Sequence, residues 1–348
     1  MRKNLVIAAS GGVLALVAIG YIGVRAFAGG PPTKSAEATA SDITGAIGNR
    51  WPGPAADKTQ PPAAAPKVEP ASATPAAASP AAAPASVQTA CANPNALGIS
   101  RTVQIDTTGG PGLGLSQYKD YDFLQPGEVA LTFDDGPWPV TTPAVLAALD
   151  AQCTKGTFFP VGKHASWHPE ILKQVLARGH TVGSHTWSHM NLAKRPLQEA
   201  KEEIEKGISA VSLAAGQPIA PFFRFPQLRQ TPELKAYLGE RNITAFSIDV
   251  DSEDFRIKKP ALLISGVMAK LQKTGKGILL MHDLQKSTAA ALPELLVQLK
   301  AGGYKIVHIK AKDTLATMPQ YDAMVIPAQQ VRTSNARPIA SVISTVAN

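Results

Sequence analysis

Glu128-Val-Ala-Leu-Thr-Phe-Asp-Asp-Gly-Pro137 is an apolar run that ends in two adjacent carboxylates and a Gly-Pro stop. Val129, Ala130, Leu131 and Phe133 suit a strand covered on both faces, and Gly136-Pro137 ends its pairing and turns the backbone. Such a strand delivers Asp134 and Asp135 to its C-terminal edge. Neighbouring carboxylates in a partly buried place are costly unless something positive lies between or beside them, so the sequence should supply a cation. Taken alone, Asp-Asp-Gly more often marks an acidic turn that caps the following helix. The other strand ends separate the two readings.

Downstream, apolar runs alternate with helical patterns. Strands are expected over 156–161, 180–183, 222–225, 243–250, 277–281 and 305–309, and helices over 142–152, 168–178, 196–215, 231–241, 260–273 and 288–301. In the long helix, Lys201, Glu202, Glu203, Glu205 and Lys206 read as the wet face. Seven strand units separated by helices imply parallel pairing through crossover helices, hence an α/β barrel or a doubly wound sheet. Upstream, residues 94–127 read as a leading strand and a Gly-rich loop, Thr107-Thr-Gly-Gly-Pro-Gly-Leu-Gly114. That loop lacks G-x-x-x-x-G-K-[ST], which argues against nucleotide binding. The folded domain is expected over 91–313, with a polar C-terminal tail over 314–348.

Composition sets the ends apart. Arg2-Lys3 precedes an uncharged run over 5–24, about 30 Å as a helix and enough to span a bilayer, so residues 1–30 read as a membrane anchor. Ala26-Phe27-Ala28 also fits a signal-peptide cleavage pattern. Either reading puts the bulk of the chain outside the cytoplasm, anchored and facing the periplasm or secreted. Residues 31–90 are rich in Ala and Pro with almost no large apolar side chains, the composition of a disordered tether; extended, it would reach on the order of 150 Å. The net charge of +8 is spread thinly: seven basic against four acidic residues over 1–90, 25 against 21 over 91–313, two against one beyond. No basic block with interleaved aromatics appears, so nucleic acid is not an expected partner, and nothing identifies a protein partner. Cys91 and Cys153 are the two cysteines, which an oxidising compartment would allow to pair, clipping the lead-in segment to the domain; two separate thiols are the alternative.

The titratable residues gather after the strands: Asp134 and Asp135 after the first, His185 and His189 after the third, Arg224 at the fourth, Asp249, Asp251 and Asp254 after the fifth, His282 and Asp283 at the sixth. All lie on the carboxyl side, where parallel α/β proteins place ligands. His185-Thr-Trp-Ser-His189 has a spacing that can aim two imidazoles at one metal, and a carboxylate would complete a two-His-one-Asp site open to water and substrate. One Asp of the pair would then bind the cation while the other stays free as a base. His164, His168, His180 and His308 lack such partners and read as surface or core residues.

Thr132-Phe-Asp-Asp-Gly-Pro137, His185-Thr-Trp-Ser-His189, Arg224-Phe-Pro-Gln227, Asp251-Ser-Glu-Asp-Phe255 and Leu280-Met-His282 resemble, in order, the five motifs of the polysaccharide deacetylases. These form carbohydrate esterase family 4, with its NodB homology domain and chitooligosaccharide deacetylases. The resemblance spans about residues 128–310 and implies a distorted (β/α)7 barrel. It implies Asp134 as general base and Asp135, His185 and His189 as ligands of Zn²⁺, or of a similar divalent ion such as Co²⁺. It also implies His282 as general acid, Arg224 orienting Asp134, Asp254 tuning His282, and Leu280 lining an acetyl-methyl pocket. Two departures bear on substrate choice: Gln227 stands where the family usually has Tyr, and Phe255 where it usually has Trp. The expected substrate is an N-acetylglucosamine-containing glycan, of the chitooligosaccharide or peptidoglycan type. An O-acetyl esterase acting on a polysaccharide such as acetylxylan, and a catalytically silent glycan-binding protein, are the competing readings.

Overall fold

A computed structural model of the chain describes residues 91–333, with side chains through 326. The anchor or signal segment expected over 1–30 and the tether expected over 31–90 lie outside the described residues. No helix among the described residues is long and apolar enough to cross a membrane.

The chain first lays down β1 (Arg101–Ile105), β2 (Gly112–Leu113) and β3 (Glu128–Asp135), then α1 (Thr141–Ala151) and β4 (Thr157–Pro160). Two helices follow, α2 (Gly162–Trp167) and α3 (Pro169–Ala177), then β5 (Thr181–Val182), α4 (Leu197–Ala215) and β6 (Phe222–Arg224). Next come α5 (Pro232–Glu240), β7 (Thr244–Phe246), β8 (Val250–Asp251), α6 (Pro260–Thr274) and β9 (Gly277–His282). The described chain ends with α7 (Lys286–Ala301), β10 (Lys305–Ala311) and α8 (Pro319–Thr333). Every ladder is parallel. β3 pairs with β4 along its C-terminal half, with β10 at its start and with β9 on its other side. Pairing continues from β4 to β5, crosses by the Ser184–Phe223 bridge to β6, and passes from β6 to β7; from the other end, β9 pairs with β8. Seven parallel segments thus follow one another in pairing order, interrupted between β7 and β8.

Alternation along β3 sorts its side chains into two layers. Val129, Leu131 and Phe133 pack with Val145, Leu146 and Leu149 of α1 and Leu292, Leu295 and Leu296 of α7. Ala130 turns to the other face and joins Phe159, Phe222, Phe246, Ile278 and Val307. Each of the large aliphatic and aromatic side chains among these contributes roughly 1.5–3 kcal/mol. By the same alternation Thr132 and Asp134 follow Ala130, so the first carboxylate leaves the strand on the face enclosed by the ladders.

The elements depart from expectation at four places. The strand expected over 243–250 is two, because residues 244–246 pair with β6 and β2 while 250–251 pair with β9. At this seam Asp249 accepts hydrogen bonds from the amides of Leu115 (2.5 Å) and Ile278 (2.7 Å), a structural rather than a site role. The wet face expected of α4 is also wrong in part: Glu203 and Glu205 are buried. Glu205 accepts from Tyr237 at 2.8 Å and Arg241 at 2.9 Å, joining α4 to α5. An extra helix, α2, precedes the one expected near 168. Finally, the tail does not fall away at 313: Leu315 bridges Ile219, and Tyr321 and Val325 of α8 are buried. Cys91 and Cys153 are joined with Cα atoms 5.8 Å apart, and Asn93 and Leu97 bond to Ala151 and Gln152 beside the bridge.

Candidate active site

β3, β6 and β9, with the loops after β5 and β8, bring the polar residues to a cavity of about 390 Å³. Asp134, Asp135, His185, His189 and His282 line one part of it; Phe225, Gln227, Leu228, Phe255 and Leu280 line the rest, with Asp251. Asp135 Oδ1 lies 3.6 Å from His185 Nε2 and 3.5 Å from His189 Nε2. These three ligand atoms lie within 4.8 Å of one another. Asp135 Oδ1 is buried and has no hydrogen-bond partner among the described residues, an orphaned acceptor facing two imidazole nitrogens. His185 Nδ1 sits 2.6 Å from the carbonyl oxygen of Arg224. Donation from Nδ1 leaves Nε2 as a lone-pair donor, the arrangement common to metal-bound histidines. Burial depresses the pKa of His185, although Asp134 and Asp135 oppose it, which also favours the neutral ligand form. Donor set, orphaned oxygen and tautomer all fit a divalent cation of the zinc type.

The His185–His189 segment is a loop, not a helical face: Thr186 and His189 take φ of 68° and 59°. The backbone, rather than helical spacing, brings the two rings to one point. Asp135 is likewise left-handed, with φ 77°. Residues held in such conformations need surrounding contacts to fix them.

Asp134 is held differently from its neighbour. Arg224, fully buried, donates from Nη1 to Asp134 Oδ1 at 2.7 Å and to Thr132 Oγ1 at 2.9 Å, and from Nη2 to the Ser247 carbonyl at 3.0 Å. The other oxygen, Oδ2, lies 3.7 Å from His185 Nε2. On β9, His282 Nδ1 donates to Asp254 Oδ1 at 2.6 Å, while the His282 amide donates to Oδ2 at 2.6 Å. Thr288 also bonds Asp254 Oδ2. Burial works against a charged His282, yet the Asp254 hydrogen bond and charge, with Asp135 and Asp134 behind them, outweigh it and push the imidazole up to about 9. Asp254 is held low in turn, because the bonds from His282 and Thr288 overcome its burial.

Leu280 is buried at the cavity wall, and Phe255 is 46% exposed with its ring at 85° to that of His282. Gln227 adopts φ 57°, and its side-chain oxygen accepts from Asn191 at 3.1 Å. Two contacts behind the site escaped the sequence reading, although the sequence places Asp283 at its strand end. His164, read as surface or core, has Nδ1 2.6 Å from the Asp135 carbonyl oxygen. Asp283 accepts from the Gly136 amide at 3.0 Å and from Thr142 Oγ1 at 2.5 Å. Both contacts join residues distant in sequence, and no local pattern marks them. His180 and His308 have structural partners: His180 Nδ1 accepts from the Gly156 amide, and His308 Nε2 lies 3.0 Å from Thr181 Oγ1.

Residues 124–246, from the approach to β3 through β7, match the family model for polysaccharide deacetylase. The chain carries a polysaccharide deacetylase domain. It is 36% identical over 184 residues to the peptidoglycan N-acetylglucosamine deacetylase of Listeria monocytogenes, an alignment covering 52% of this chain and 38% of that protein. It is 29% identical over 192 residues to a chitooligosaccharide deacetylase of Bradyrhizobium, covering 51% of this chain and 87% of the relative. Among solved structures, the peptidoglycan deacetylase of Bdellovibrio bacteriovorus aligns with TM-score 0.57 and 33% identity over 63% of this chain and 61% of that one. The chain therefore spans well under half the length of the Listeria relative. Asp251, Asp254 and His282 lie beyond the residues that match the polysaccharide deacetylase model, yet line or support the same cavity.

Proposed function

We propose that this chain is a metal-dependent N-deacetylase that hydrolyses acetamide groups of N-acetylglucosamine-containing glycans, of the peptidoglycan or chitooligosaccharide type. The observation that carries this reading is the meeting of two unlike carboxylates and an Asp-coupled histidine in one cavity: Asp135 faces His185 and His189, Asp134 is clamped by Arg224, and His282 is held by Asp254. Asp135, His185 and His189 would hold the cation, Zn²⁺ or a similar divalent ion, which supplies Lewis acidity toward the acetyl carbonyl and toward water. Asp134, with Oδ1 engaged by Arg224, keeps Oδ2 to take a proton from the attacking water. The water oxygen bonds to the acetyl carbon. As the carbon–nitrogen bond breaks, His282 passes its proton to the departing nitrogen, giving acetate and a free amine. An amine leaves poorly unless protonated, and the elevated pKa of His282 keeps that proton available at neutral pH.

The apolar wall of Leu280, Phe225 and Leu228 suits an acetyl methyl group, and Phe255 offers an exposed ring at the rim. The N-terminal charge pattern and the disulfide support work outside the cytoplasm, with residues 1–30 as anchor or signal segment and the membrane as a partner. Acetate release from N-acetylglucosamine oligomers and intact peptidoglycan, set beside release from O-acetylated xylan, tests the reading. Release from the amide substrates alone is expected. Release from the ester substrate alone would replace it with an esterase, and release from none would leave a binding protein.

A further inference from the structure

α4 carries two residues that its helix does not need. Gly207 sits in its middle, where Gly costs about 1 kcal/mol relative to Ala, and Glu203 is a carboxylate only 4% exposed with no ion pair among the described residues. They are four apart and so lie on one face of the helix. That face meets the loop between the two histidines of the candidate metal site. Glu203 Oε2 accepts from the Ser188 amide at 3.0 Å and from Ser188 Oγ at 2.8 Å, and the Glu203 carbonyl accepts from the Trp187 amide at 2.9 Å. At Gly207 a Cβ would stand 2.4 Å from the Thr186 carbonyl carbon and 2.7 Å from its oxygen, so the absent side chain is what lets the loop lie against the helix. Opposite, the amides of Gly162 and Lys163 at the start of α2 donate to the carbonyls of Thr186 and Trp187, each at 2.9 Å.

The loop needs this hold. Thr186 and His189 are both left-handed, and a local bond from the His189 amide to Thr186 Oγ1 at 2.9 Å closes the turn but does not tie it to the scaffold. We propose that Glu203 and Gly207 are positioning residues for the metal site: Gly207 sets the depth of the loop and Glu203 fixes Ser188, thereby placing His189 against Asp135 and His185. The inference rests on the reading of these three residues as metal ligands. It explains why Glu203, in the charged stretch of α4, is turned inward onto Ser188.

The test measures zinc affinity of the purified full chain by competition with a chromogenic chelator, a quantity independent of any glycan. Removing partners behind metal ligands typically weakens binding 10- to 100-fold. Glu203→Ala and Gly207→Ala should each weaken zinc at least about 10-fold, and Ser188→Ala, which removes one of the two Ser188 donors, should weaken it by less. Glu202→Gln, one position along the helix, should leave affinity unchanged. Circular dichroism and thermal melts of the zinc-free proteins separate weakened binding from failure to fold. If Glu203→Ala does not fold, Gly207→Ala and Ser188→Ala carry the test. Folded variants that bind zinc as tightly as the parent overturn the proposal, and a parent that binds no zinc overturns the metal reading on which it rests.

Discussion

Asp134 and His282 are Cα partners across the parallel β3–β9 ladder, so the proposed base and acid leave the same sheet edge on neighbouring strands. Parallel neighbours lie roughly 4.8 Å apart, which lets two groups reach opposite sides of one acetamide without help from a flexible loop. Each is then fixed by a different buried partner, Arg224 for Asp134 and Asp254 for His282.

The adjacent carboxylates should therefore fail in different ways. Asp135→Ala removes a ligand, so metal content and acetate release should fall together. Asp134→Asn keeps the shape and a group for Arg224 to touch, but removes the proton acceptor, so metal should stay while turnover drops by about 10²–10⁴. Metal analysis beside acetate release on both purified variants checks this. Loss of metal from Asp134→Asn with retention in Asp135→Ala would reverse the two roles.

The Asp254–His282 pair predicts the alkaline side of the pH profile. A histidine raised to about 9 in the folded protein, against about 6.5 unfolded, contributes stability that is full below 6.5 and lost as pH rises through about 9. Deacetylation should persist to mildly alkaline pH and decline near 9. Asp254→Asn removes the charge that raises His282 and leaves only a weaker, neutral amide oxygen to accept from Nδ1, so the alkaline limb of kcat/KM should move down by about one unit. An unmoved limb would mean that another group sets it.

The residues that meet in the candidate site were largely legible because they sit in short runs at strand ends. Thr132–Pro137 and Leu280–His282 are contiguous, and a parallel fold sends all strand ends to one edge. What stayed hidden depends on pairing between distant segments. Residues 244–251, Thr-Ala-Phe-Ser-Ile-Asp-Val-Asp, hold no Gly or Pro to break the run, so nothing in their pattern marks the change of partner from β6 to β9. Glu203 and Glu205 look like solvent charges because their partners, Ser188 and Arg241, come from other elements. The same holds for α8: its buried Tyr321 and Val325 share the helix with the exposed Met324 and Ile326, so apolar character alone does not pick out the buried stripe without α4 beside it.

Acid should destabilise the fold through His180 and His308, which lie behind β4 and β5 and away from the cavity. Burial drives both down, His180 to about 3 and His308 to about 4; Lys155 adds repulsion to both, with His308 and Arg178 acting on His180 and Lys310 on His308. Both stay neutral in the fold while the unfolded chain protonates near 6.5. Their stabilising contribution is therefore full above about 6.5 and lost progressively as pH falls toward 3–4. By pH 5 this amounts to about 2 kcal/mol for each residue. Melting temperature should fall between pH 7 and pH 5, and His308→Gln, which cannot protonate, should show a shallower fall. A slope unchanged in that variant would place the acid sensitivity elsewhere.

Gly136 and Asp283 should prove energetically coupled. A Cβ on Gly136 would stand 2.0 Å from Asp283 Oδ2, so the carboxylate occupies the space that a side chain at 136 would need. Gly136→Ala must displace either Asp283 or the loop that carries Asp135, and overpacking of this kind costs roughly 1–3 kcal/mol. Asp283→Ala instead orphans two buried donors, the Gly136 amide and the Thr142 hydroxyl, at roughly 1–3 kcal/mol each. In the double variant the space vacated by the carboxylate receives the new methyl group. The clash disappears while the orphaned donors remain. The combined loss should then be smaller than the sum of the single losses by 1 kcal/mol or more, on the order expected for directly contacting residues. Urea unfolding of the parent, both single variants and the double variant measures it. Simple additivity would show that the two side chains do not compete for this space, and that the glycine serves the turn alone.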